Sequence, residues 1–166
     1  MTTTIRRNSV IEQWGTIIEQ AAGQQKRVMA DMLTYLKEAN IPNAKIYQDD
    51  CSTGMFSAKR NFIIMTHDIL REYRMFLGAR DYGSNLDVSW FVTVSPSGLK
   101  RSLSRRATGN PLAFSQQVDI FTQQDLRSWL TVAHHCVKRT IETISEELKQ
   151  TPAGLNQSSK GFLSVW

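Results

Sequence analysis

The chain has 166 residues, 41% apolar and 21% charged, with a formal net charge of +5. That length suits one domain with a real core, and two cysteines, Cys51 and Cys136, exclude a disulfide scaffold. The apolar and aromatic content excludes a wholly disordered chain, and the basic excess favours nucleic acid, anionic lipid or an acidic protein without choosing among them.

The N-terminal MTTTIRRNSV has no apolar stretch of signal-peptide length behind its arginines. Phe62-Ile63-Ile64-Met65 and Trp90-Phe91-Val92 are the most apolar segments and are far too short to cross a bilayer. A cytoplasmic protein with no membrane span and reduced, packed thiols is the expectation.

A helix is predicted from about Ser9 to Ala39. Val10, Trp14, Ile17, Ile18, Ala21, Val28, Met29, Met32, Leu33 and Leu36 fall at spacings of three and four. Gly23 weakens its middle by about 1 kcal/mol against alanine, which suggests a kink or two parts. Asn40-Ile41-Pro42 is the stop.

Short strands are predicted at Lys45 to Gln48 and Met55 to Ser57, and a longer one at Asn61 to Thr66. The centre alternates strictly. Tyr73, Met75, Leu77 and Ala79 share one face, as do Leu86, Val88, Trp90, Val92 and Val94. Tyr82-Gly83-Ser84-Asn85 between them has hairpin-turn chemistry.

From Val88 to Val118 there is no acidic residue. Residues 97 to 111 are rich in Ser, Gly and Arg without a usable period, so a long mobile basic loop is predicted there. A short strand is predicted from Gln117 to Phe121. The second long helix follows, with Thr122 as its cap, Asp125 in a capping-box position, and Phe121 and Leu126 as a staple. Leu126, Leu130, Ala133, Val137, Ile141, Ile144 and Leu148 form its apolar stripe to about Gln150. The tail from about residue 151 to 166 ends in an apolar cluster that needs cover from the domain or from a partner.

Assembled, these elements predict a single α+β domain over residues 1–166. Its expected form is an antiparallel meander of about four or five strands against two long amphipathic helices, N-terminal and C-terminal.

The candidate chemistry is thin. His134, His135 and Cys136 are consecutive, and helical neighbours point about 100° apart, so they do not converge on one ion. His67-Asp68 reads as a turn closing a strand, and Asp49-Asp50 as another polar turn. No nucleophile elbow, phosphate-binding loop or dinucleotide fingerprint is present, and no cofactor is implied.

Three functions follow as expectations. The first is a non-enzymatic binding or assembly module that contacts a protein partner or itself. Phe162, Val165 and Trp166 in the tail are its candidate contacts. The second is nucleic-acid binding through Lys100, Arg101, Arg105 and Arg106 of the basic loop. Arg74, Arg80, Phe76 and Phe91 would add to it on the sheet face away from Tyr73 and Met75. The third is a small-molecule carrier or enzyme with a pocket between sheet and helices, near Tyr73, Trp90, Trp129 and His134.

Overall fold

A computed structural model describes residues 3–5, 9–54, 58–95, 118–150, 155–161 and 163–166. Among these residues are seven strands and two helices. In chain order they are β1 (Thr3–Thr4), β2 (Val10–Ile18), α1 (Gln25–Glu38), β3 (Ala44–Ser52), β4 (Arg60–His67), β5 (Tyr73–Tyr82), β6 (Asn85–Val94), α2 (Ile120–Glu147) and β7 (Lys160–Gly161). All strands join one sheet in the order β1-β3-β4-β5-β6-β2-β7. The sheet is mixed: β1 runs parallel to β3 and every other pairing is antiparallel. The expected meander of about four or five strands with two long helices is therefore corrected to a seven-stranded mixed sheet.

The largest correction lies at the N-terminal end, where the helix expected over Ser9 to Ala39 is a strand followed by a shorter helix. The physical reason is a shared period. Val10, Trp14 and Ile18 are four apart, which matches one helical turn and also two repeats of a strand. What separates the two readings is the intervening set. Glu12, Trp14, Thr16 and Ile18 are buried while Gln13, Gly15 and Ile17 face out, a period of two. Gly23 then turns the chain with φ +89°, and its amide donates to an Asp81 carboxylate oxygen at 3.0 Å. After it, α1 buries Val28, Met29, Met32 and Leu36 along one stripe. Asn40, at φ 46°, ends the helix in the left-handed region as expected for Asn after a C-terminus.

The central hairpin forms with Tyr82 opposite Asn85, and Gly83 supplies the positive φ of the turn. β4 extends the predicted Asn61–Thr66 strand by one residue at each end. β3 runs to Ser52, so Asp49 and Asp50 belong to a strand and not to a turn. Asp49 accepts from the Thr3 hydroxyl and Asp50 from the Asn61 amide, which ties β3 to β1 and β4. The Met55–Ser57 candidate lies outside the described residues.

The strand expected at Gln117 to Phe121 is also corrected, since Ile120 and Phe121 open α2. Asp119, not Thr122, is the cap. Its backbone is extended, and its carboxylate accepts from the Thr122 amide at 3.0 Å and from the Thr122 hydroxyl at 2.6 Å. Those bonds hold the Asp119 carboxyl below its usual range, the Thr122 hydroxyl first and the amide second. With the helix starting earlier, Phe121 is left in solvent instead of stapling Leu126. The predicted stripe is otherwise the buried one, with Leu148 half-buried at its end.

Both helices cover the same face of the sheet. Val28, Met32 and Leu36 of α1 and Leu130, Val137 and Ile141 of α2 share one core with Met75, Leu77, Trp90 and Val92. The opposite, outer face carries a separate cluster of Ile5, Cys51, Ile64 and Phe76, with Phe62 and Phe91 half-buried beside it. No helix among the described residues belongs to that cluster.

Candidate functional site

The space between sheet and helices holds the four residues proposed for a ligand pocket, and all are core. Trp90 Nε1 donates to His134 Nδ1 at 3.0 Å, and Trp14 meets the same imidazole edge-on at 4.8 Å. Both Trp90 and His134 have no exposed surface. This bond places the imidazole proton on Nε2, where no partner is found among the described residues; Trp129 Nε1 is likewise unpartnered. Burial, then the charges of Lys138 and His135, pushes the His134 pKa down to about 4.

The three consecutive candidates on α2 diverge as helical geometry requires. His134 points into the core, His135 meets the Trp166 carbonyl at 3.0 Å, and Cys136 Sγ donates to the Tyr35 carbonyl at 3.6 Å. His67 Nδ1 accepts the amides of Ile69 and Leu70, so it shapes the turn after β4. Asp68 pairs with Lys45 at 2.7 Å.

The tail is held by its own domain. Trp14 Nε1 donates to the Gln157 carbonyl, and β7 adds to β2 at Glu12 and Gln13. Glu12 is fully buried and accepts from the Ser159 hydroxyl and from the Leu163 amide at 2.9 Å. Gly161 makes room for that carboxylate, since a Cβ there would run into it. Leu163 and Val165 complete the core, and Arg127 donates to the Leu163 carbonyl. Val165, a candidate partner contact, is thus occupied within the domain; Trp166 remains 67% exposed, and Phe162 lies outside the described residues.

The outer face has two grooves that meet at Ser89 and Phe91. Its floor is a row of small residues running across three strands, Gly15 opposite Ser89 and Ser89 opposite Gly78. The Phe62 ring approaches Gly78 through its Cδ1–Cε1 edge, and the missing Cβ of Gly78 would sit 2.7 Å from it. Phe62 contacts Phe91 edge-on at 5.4 Å, and Phe91 stacks on Phe76 at 5.2 Å. Phe76 is only 2% exposed, so Phe91 and Phe62 present the aromatic surface and Phe76 supports it.

The first groove, of about 400 Å³, is edged by Lys59, Arg60 and Arg80. The second, of about 320 Å³, runs past Gly15 to Gln157 and Lys160. Arg80 bonds Asp87 through Nε at 3.0 Å and lies over the Tyr82 ring. Arg74 is exposed on the same face, one row beyond Phe76 and three from Arg80. The predicted Arg74, Arg80, Phe76 and Phe91 therefore share a face, while Lys100, Arg101, Arg105 and Arg106 lie outside the described residues. Lys59, Arg60, Phe62 and Lys160 were not predicted. The alternation Arg60, Phe62, Ile64 carried a signal for two of them; only the pairing of β7 brings in Lys160.

A third groove, of about 260 Å³, lies at the end of the helical layer. Ile41, Pro42, Ile69, Trp129 and Val132 line it, with Asp125 and Ser128. Phe121, Asp125, Ser128 and Val132 fall at i, i+4, i+7 and i+11, one continuous stripe of α2. Ile69, Ile120 and Phe121 are 68%, 73% and 75% exposed.

Cys51 is buried, and burial with the nearby Asp49 and Asp50 raises its thiol to about 11. It is no nucleophile at neutral pH.

No protein-family model, no curated protein and no solved structure matches this chain.

Proposed function

We propose that this protein is a non-enzymatic binding module of the cytoplasm that takes an apolar segment of a protein partner, or of a second copy of itself, at the end of its helical layer. The observation that carries this reading is the exposure of Ile69, which lines the apolar groove of Ile41, Pro42, Trp129 and Val132, and of Phe121 on the same stripe of α2. Burying each such side chain is worth about 1.5–3 kcal/mol, so a contiguous group of them favours association. The cytoplasmic placement is supported by two free, buried cysteines. Among the described residues no helix is long and apolar enough to cross a membrane.

The test is a photoreactive residue at Val132, combined with sedimentation over a wide concentration range. Crosslinks to one protein, or a dimer that forms with concentration, should disappear in an Ile69→Ser/Phe121→Ser variant of unchanged thermal midpoint. A monomer at every concentration, with no crosslinks in its native host extract, would sink the reading.

A further inference from the structure

The outer face of the sheet has a different character from the apolar end, and different chemistry would recognise it. Its two grooves join at Ser89 and Phe91 into one trough crossing β4, β5, β6, β2 and β7. Four inter-strand spacings make that trough roughly 19 Å long. Cations stand at both ends: Lys59, Arg60 and Arg80 on one side, Lys160 on the other. Asp87 is the one acid lining either groove among the described residues, and it is tied to Arg80 Nε. Lys59, Arg60 and Lys160 have no ion-pair partner among the described residues. Between the charged ends the open floor is the small pair Gly15 and Ser89, in register with Gly78, which the Phe62 ring covers. The rings of Phe62 and Phe91 stand beside that floor, half-buried and held by Phe76 beneath.

We propose that this trough binds a single strand of nucleic acid laid across the sheet. Cations at both ends match a chain of phosphates with a spacing between them, and a free mononucleotide would leave one end unused. The small-residue floor lets a planar base approach the backbone, and the phenylalanine rings offer it a stacking surface. A duplex keeps its base faces stacked on each other, so it cannot use those rings.

The experiment is fluorescence anisotropy with a labelled ten-residue oligothymidylate, its ribo-counterpart and a duplex, at about 50 and 200 mM salt. The full chain should bind the single strands saturably and lose affinity steeply with salt. Lys59→Gln/Arg60→Gln and Lys160→Gln should each weaken binding and lower the salt slope by roughly 0.7 per phosphate contact removed. Ser89→Asp should weaken it further by placing an acid at mid-trough. Phe91→Leu should weaken it roughly fivefold or more with the salt slope unchanged, as expected for lost stacking. The three lysine and arginine changes are on the surface, so they remain informative if Phe91→Leu fails to fold. The proposal is overturned by any of four results: no saturable binding at low salt, equal affinity for thymidine monophosphate, tighter binding of the duplex, or loss of binding only when Lys100, Arg101, Arg105 and Arg106 are changed to Gln.

Discussion

The inner face of the sheet is covered by α1, α2 and the C-terminal tail, whereas the outer face buries a small aromatic cluster largely against itself. On the inner face, Ile63, Met65, Met75, Leu77, Trp90 and Val92 have no exposed surface at all. On the outer face, Phe62 and Phe91 are half-buried and Ile17 and Tyr47 are 40% and 42% exposed. The alternation along each strand is the same on both sides; what differs is whether a second layer follows. A fold can thus be specified by one face and leave the other free for recognition, where charge and flatness matter more than packing.

Substitutions should separate the faces by size of effect. Leu130→Ala, on the buried stripe of α2, removes a fully buried side chain and should cost about 2–5 kcal/mol in denaturant unfolding. A loss under 1 kcal/mol would mean that the helical layer is loosely packed.

The next effect is a pH dependence that belongs to the inner face alone. His134 is depressed from its ordinary 6.5 to about 4, chiefly by burial. Above pH 6.5 it is neutral in both folded and unfolded chains and contributes no dependence. Between 6.5 and 4 the unfolded chain takes up a proton that the folded one refuses, so stability falls as pH falls, and it levels off below about 4. The total is on the order of 3 kcal/mol. His134→Asn keeps an acceptor for Trp90 Nε1 but cannot titrate, so its unfolding midpoint should lose most of that slope. An unchanged slope would assign the dependence to other groups.

Gly78→Ala probes the outer face where it is most tightly arranged. The added methyl would displace the Phe62 ring and should cost about 1–3 kcal/mol. Because the ring is held by Phe76 and Phe91, near-ultraviolet dichroism should change with it. Smallest of all, Ile17→Thr on the open outer face should fall within about 0.5 kcal/mol of wild type by thermal unfolding. A cost near that of Leu130→Ala would show that something covers this face.

How much of this was legible in the sequence follows from which patterns are unambiguous. The β5–β6 hairpin was readable because eight residues before the turn and ten after it alternate, and Gly83 marks the turn. The stripe of α2 was readable because Leu126 through Ile144 fits only the helical period. β2 was hidden by spacings of four, which belong to both periods, and by its partner β6 lying far along the chain. β1 and β7 have two residues each and leave no pattern; tertiary pairing alone makes them strands. For the surface, alternation placed Arg74, Arg80, Phe76 and Phe91 together. It did not reveal that Phe76 is nearly enclosed, nor that Gly15, Ser89 and Gly78 align, because register across strands is set by the whole sheet.

The Glu12 clamp also sets an order of events. Loops that close over long stretches of chain form slowly, while neighbouring hairpins form early. The run from β3 to β6 can pair from its own neighbours as soon as it exists. β2 must wait for β6, and its buried carboxylate stays without partners until Ser159 and Leu163 have been made. Refolding followed by tryptophan fluorescence should therefore show Glu12→Ala speeding unfolding while leaving the folding rate nearly unchanged. A matching slowdown in folding would place the clamp in the nucleus instead. On a ribosome, the same geometry means that β2 is fastened only once Ser159 and Leu163 have emerged, long after β2 itself.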